Sequence, residues 1–304
     1  MTDKFVPLDR LRPFSETISV TFEAIRHVFK PLMTLLIRVA GPAIIVAAIA
    51  SEYIQASQWE SMLSTLGFGS PSSARPEFII LAVLASWCAS LISSVVVVIY
   101  FLEYQRLKRV PAVEEVRDAL RGVWLRATAS WLSYWALSAV AFLFLFIPGI
   151  YLYVAMCLVL PAQFEESLSV GDALKRSMVL VKSTWWWSFA YLLLIFLCAA
   201  IVSVIVELPG SAIYLVDVLT KDTGSAFTSQ ALQIVGSVVR VVSQIATTCV
   251  AALAATAYVV LYFRLVERAE GKGLLARVGA ISGTEGASLT SRGTERAGLT
   301  TEPM

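Results

Sequence analysis

Charge, histidine and paired cysteine are what this chain has least of. Charged residues make up 15% of its 304 positions, against about 25% in soluble domains. The only histidine is His27, which excludes any site that needs two imidazoles. Cys88, Cys157, Cys198 and Cys249 each sit inside an apolar run, with no CxxC pair and no histidine nearby; they read as small buried hydrophobes, not as a disulfide or metal set. No glycine-rich phosphate loop, nucleophile elbow or zinc-protease signature occurs, and no cofactor, metal or nucleic-acid partner is expected. The first thirty residues hold Lys4, Arg10, Arg12, Glu16, Glu23, Arg26 and Lys30 and lack the apolar core of a secretory signal, so the first span is expected to be retained.

What is abundant is apolar surface. Hydrophobic residues reach 58% and the mean hydropathy is +0.75, arriving in runs of about twenty, the length that crosses hydrocarbon. The spacing predicts six spans near residues 32–51, 78–102, 128–147, 149–164, 185–206 and 241–263. Only Pro148 and Gly149 divide the third from the fourth, and a proline followed by glycine favours reversal into a hairpin. With six spans, 21 of the 24 Lys and Arg fall on one side, which the positive-inside rule makes cytoplasmic together with both termini. Arg75, Lys221 and Arg240 remain outside. Trp185, Trp186 and Trp187, just after Lys182, read as an interfacial anchor, with a ligand-stacking box as the alternative. Residues 52–77 and 208–229, the latter opening Leu208-Pro209-Gly210, are expected as outer loops. The membrane domain is placed at 1–271, and residues 272–304, rich in Gly, Ser and Thr, are expected to be a disordered cytoplasmic tail.

A short pattern recurs before spans one, three and five: Glu23-Ala24-Ile25-Arg26, Asp118-Ala119-Leu120-Arg121 and Asp172-Ala173-Leu174-Lys175, with Phe29, Trp124 and Met178 each six residues after the acid. Val113, Val116, Ala119, Leu120, Val123 and Trp124 fall at helical spacing with charges on the other face. That describes an amphipathic interfacial helix whose apolar stripe meets acyl chains or the bundle. Ser169 stands where it caps the third copy. The expected fold is therefore all-α: a polytopic membrane helix bundle of three hairpins, each introduced by an interfacial helix.

Polar residues at membrane depth are expensive and mark the candidate positions. Arg38 lies one to two turns into span one, within snorkelling reach of the cytoplasmic interface. Glu207 ends span five, and Arg240 with Gln244 opens span six; a Glu207–Arg240 pair at the outer level is expected. Pro161, Gln163, Glu165 and Glu166 form a polar cluster where span four ends, read as a hinge with Glu165 or Glu166 bonding backbone or Lys175 and Arg176, or else as a cation or proton site. Ser86, Ser90, Ser93 and Ser94 read as packing residues.

The run Ile147-Pro148-Gly149-Ile150-Tyr151-Leu152-Tyr153, then Leu160-Pro161 with Glu165 or Glu166, Ala173-Leu174-Lys175-Arg176-Ser177, the tryptophans, and the closing run Tyr262 to Gly271 together resemble the membrane domain named after glycerophosphoryl diester phosphodiesterase. The resemblance covers roughly residues 14–272. It implies a bacterial multi-span protein of the cytoplasmic membrane, in a family mostly of unassigned function and sometimes joined to a soluble phosphodiesterase. No part of these 304 residues is expected to form that soluble domain, which needs paired histidines on a barrel, so the family name is not read as an activity. The expected function is a non-enzymatic module that organises membrane lipids or partner membrane proteins at the cytoplasmic face. The alternative is a small-solute or lipid transporter with a polar site between the hairpins, and an intramembrane enzyme ranks third.

Overall fold

A computed structural model describes residues 6–8, 10–50, 65, 76–144, 146–220 and 226–271. Among them the chain is helical, without strands. In order the helices are α1 (Phe14–Val39), α2 (Gly41–Ala50), α3 (Pro76–Leu107), α4 (Val113–Ala119), α5 (Trp124–Phe144), α6 (Phe146–Met156), α7 (Val159–Glu165), α8 (Val170–Lys182), α9 (Trp185–Thr220) and α10 (Ala226–Glu270). The tail at 272–304 and most of the loop at 52–77 lie outside the described residues.

Among the described residues, four stretches are long and apolar enough to cross a membrane: Pro76–Leu107, Ile147–Glu165, Trp185–Ile213 and Ile234–Glu270. The bent pair α1 and α2 makes a fifth if it counts as one span. This is consistent with a membrane protein. The helical stretches long and apolar enough to span thus number four or five among the described residues.

Several boundaries differ from expectation, each for a local reason. The first amphipathic stretch and the first span form one helix that continues through Pro31 and breaks only at Ala40, where α2 departs at 69°. Pro42 explains the site of the break: its ring opposes helix at the preceding residue and it has no N–H for the Arg38 carbonyl. In the second copy α4 stops at Ala119, not Trp124, since Gly122 takes φ 78° and turns the chain into α5. At Leu208-Pro209-Gly210 no loop forms: α9 runs on to Thr220. A proline within a long apolar helix is tolerated where hydrocarbon offers freed backbone groups no better partner.

The interior is packed from facing stripes. Val20, Ala24, Val28, Leu32 and Leu35 make one face of α1, and α3 is buried on every side from Val95 to Leu102. In water each large side chain so buried contributes about 1.5–3 kcal/mol. Inside hydrocarbon that transfer term vanishes, so close packing and internal hydrogen bonds must hold the helices together. Thr21 supplies one such bond, 2.7 Å from the Tyr191 hydroxyl, which also donates to the Ala257 carbonyl at 3.4 Å. These bonds join α1, α9 and α10.

The chain reverses between α5 and α6. The Tyr134 and Tyr153 rings lie 5.4 Å apart, and a Cβ on Gly149 would stand 2.6 Å from the Phe142 ring and 2.9 Å from its Cα. Glycine is what allows the two helices this approach. The turn is nevertheless not a full membrane thickness from Lys182. Trp185 Nε1 donates to the Tyr151 carbonyl at 3.2 Å, whereas the six-span reading separates residues 147–149 from Lys182 by a hydrocarbon core of about 30 Å. The turn between α5 and α6 therefore lies beside the start of α9.

Candidate functional site

Arg12, Tyr104, Trp187 and Arg264 gather at one end of the bundle. The Arg264 guanidinium rests 3.4 Å from the centre of the Trp187 ring and donates to the Arg12 carbonyl at 3.5 Å. Trp187 in turn stacks on Tyr191 and receives the edge of Phe14. At the same end the backbone N–H of Val6 donates to the Tyr104 hydroxyl at 2.8 Å.

Three elements converge on Glu166, the C-cap of α7. Arg176 Nε donates to both of its oxygens at 2.9 Å, Tyr262 donates at 2.9 Å, and Arg176 also pairs with Glu270. Burial alone would draw the Arg176 guanidinium down; the hydrogen bonds to Glu270 and Glu166 reverse this and leave it above its ordinary value. The turn that follows holds Ser167 at φ 53°, an uncommon conformation for a side-chain-bearing residue. Arg126 fixes it by donating to the carbonyls of Ser167 at 3.3 Å and Leu168 at 2.8 Å.

Ser169 then caps α8, accepting from the Asp172 N–H at 3.3 Å. The buried stripe of α8 is Ala173, Ser177, Leu180 and Val181, and it meets the bundle. Ser177 Oγ donates to the Ala155 carbonyl at 2.8 Å and accepts from the Leu158 N–H at 3.2 Å. It thus splints the break between α6 and α7, satisfying backbone groups that the interrupted helix leaves over.

A cleft of about 630 Å³ opens beside this cluster, lined by Ile147, Tyr151, Lys182, Arg268 and Trp185 to Trp187. Trp185 stacks on Phe189 at 5.2 Å and on Tyr151 at 5.4 Å, while Trp186 is 76% exposed. Deeper between the helices lie two adjoining cavities of about 210 and 170 Å³ that share Ser90, Ser94, Ala251 and Ala255.

The residues singled out in the sequence scatter over these features. Glu166 pairs with Arg176. Gln163 is 1% exposed and reaches the Arg126 carbonyl through Nε2 at 3.4 Å, and Glu165 is half-buried beside it. Pro161 lines the smaller cavity and Gln244 the larger. Pro161 does not end its helix, because α7 runs on to Glu165 and the break falls earlier, at Cys157–Leu158. Glu207 is exposed, and the side chain of Arg240 lies outside the described residues, so the expected pair between them does too. Arg38 is exposed in the last turn of α1, beyond the contact of Met33 with Cys249. It is thus remote from the Arg12 and Arg264 end, because α1 begins at Phe14 rather than at residue 32. His27 packs edge-on against Tyr104, and no group of three metal-ligating side chains occurs among the described residues.

The sequence reading passed over Tyr262 and the cavities. A signal was available for the latter: Ser86, Ser90 and Ser93 on α3 oppose Ala251, Ala252 and Ala255 on α10. Two facing stripes of small residues either close helix on helix or leave space. No family model, curated protein or solved structure matches the chain.

Proposed function

We propose that this protein is a non-enzymatic component of the bacterial cytoplasmic membrane, with both termini cytoplasmic, that organises lipids at the cytoplasmic face. The observation that carries the reading is the cleft of Trp185, Trp186, Trp187, Lys182 and Arg268. Indole rings favour the headgroup level, and basic pockets at the cytoplasmic ends of helices take anionic headgroups. Lys182 and Arg268 form no ion pair with a described carboxylate, so both charges are available to a phosphate. The resemblance to the phosphodiesterase-associated membrane domain agrees with such a body and adds no activity.

The test is lipid retention. Full-length protein in nanodiscs of mixed phosphatidylglycerol and phosphatidylcholine should retain phosphatidylglycerol by native mass spectrometry. K182Q/R268Q should lower that retention severalfold; equal retention of both lipids by the wild type would remove the reading.

Transport of a small solute or lipid is the second reading, favoured by the paired cavities between α3, α5 and α10. Proteoliposomes that move fluorescent lipid between leaflets faster than empty vesicles would raise it above the first.

A further inference from the structure

The two cavities between α3, α5 and α10 hold polar groups that the fold leaves unused. Ser130 is 0% exposed and Ser93 7% exposed, and among the described residues neither hydroxyl has a hydrogen-bond partner; the Tyr134 hydroxyl stands close to those of Tyr153 and Tyr258. Ser93 lines the larger cavity; Ser130 and Tyr134 line the smaller. Buried hydroxyls are normally satisfied, so two idle ones in adjoining spaces point to a ligand that bonds to them there. In the larger compartment Ser86, Thr247 and Thr248 spend their protons on carbonyls of their own helices, leaving their oxygens as acceptors toward the space.

Two properties of the lining limit the occupant. Among the described residues no Asp, Glu, Lys, Arg or His contributes to either cavity, so an ion would enter without a counter-charge, far from water. The compartments also differ: the larger is rich in hydroxyls and carries the Gln244 amide, whereas the smaller is walled by Trp131, Met156 and Leu160 around its hydroxyls. Along α10 the lining runs from Gln244 to Tyr258, about 21 Å at 1.5 Å per residue. That is a polar end followed by an apolar slot.

We infer that this space binds an uncharged amphiphile with a hydroxyl-bearing head and an ester, of the monoacylglycerol class. The head hydroxyls donate to the oxygens of the larger compartment and accept from Ser93. The ester accepts from Tyr134 and Ser130, and the chain lies along Trp131 and Leu160. This goes beyond the cytoplasmic cleft, which takes charged heads at the surface, and it needs no transport step.

The test uses full-length protein in nanodiscs with two photoactivatable probes sharing one diazirine-bearing oleoyl chain: monoolein and lysophosphatidylglycerol. Monoolein should crosslink to peptides of α5 and α10 that contain the cavity residues. A255L, which fills the space common to both compartments, should reduce this labelling at least tenfold. S130A/Y134F, which removes the hydroxyls while barely changing volume, should reduce it at least threefold and covers the case in which A255L fails to fold. The proposal is overturned if lysophosphatidylglycerol labels the same peptides as strongly. It is also overturned if monoolein labels only outward positions such as Leu132 and Leu143, or if S130A/Y134F leaves the labelling unchanged, in which case these hydroxyls do not hold the probe. None of these results depends on phosphatidylglycerol retention at the cleft, so the two proposals fail separately.

Discussion

Tyr262 donates to Glu166 at 2.9 Å across a sequence separation of 96 residues, and so fastens the end of α10 to the turn between α7 and α8. The same carboxylate receives Arg176. A partly buried acceptor shared by two donors on different helices is a tertiary tie, and its loss is felt wherever α10 meets α8.

Removing either side of that tie should lower stability without altering the fold. Y262F leaves the Arg176–Glu166 pair intact and should cost about 0.5–1.5 kcal/mol, the net worth of one hydrogen bond. E166Q strips a charged acceptor from Arg176 and should cost more, about 1.5–3 kcal/mol. Thermal unfolding in detergent, followed by the helical circular-dichroism signal, orders the two; equal Tm values for both variants and the wild type would refute the tie.

Ser177 bridges the broken segment between α6 and α7, so S177A should leave a buried N–H and carbonyl with poorer partners and cost about 1–3 kcal/mol. S177C keeps the volume but bonds weakly and should fall between S177A and the wild type. Hydrogen exchange at Leu158 is the sharper readout, and it should quicken in S177A while exchange in α3 stays unchanged.

Gly149 admits no side chain. A methyl group there meets both the ring and the backbone of Phe142 at under 3 Å, and overpacking of this kind costs about 1–3 kcal/mol. F142A removes the ring but leaves the backbone of residue 142 where it stands. The double variant G149A/F142A should therefore recover only part of the loss in Tm relative to F142A alone.

The Arg109–Glu115 pair offers a pH test outside the spans. Hydrogen bonds from Arg109 and from the Ala112 N–H hold the Glu115 carboxyl below its ordinary value. A depressed carboxyl contributes stability above its unfolded pKa and loses it as pH falls through the folded one. The protection factors of the α4 amides, corrected for the intrinsic pH dependence of exchange, should therefore be constant near neutrality and fall on acidification below the usual carboxylate range. E115Q should abolish that acid-dependent step.

The helical fold was legible because hydropathy is a property of single runs: α3, α9 and α10 each announce themselves by length and composition. The α8 cap was legible for the same reason, as Ser169 and Asp172 are three residues apart. The break at Ala40 depends on Pro42 overriding an apolar run, while Pro31 and Pro209 sit inside intact helices; the rule that prolines end helices does not say which proline wins. The placing of the α5–α6 turn beside α9 is set by contacts such as Trp185 with Tyr151, which no local pattern encodes. The cavities escaped because they are made by what two distant stripes fail to fill.

The elbow at Ala40 carries a mechanical consequence. Below it, α1 is riveted by Thr21 to Tyr191; above it, Ile44 and Ala47 of α2 form part of the wall around Gln244. The joint between them lacks one backbone hydrogen bond because of Pro42. A sideways load on the upper arm is thus taken up at the joint before it reaches the rivet.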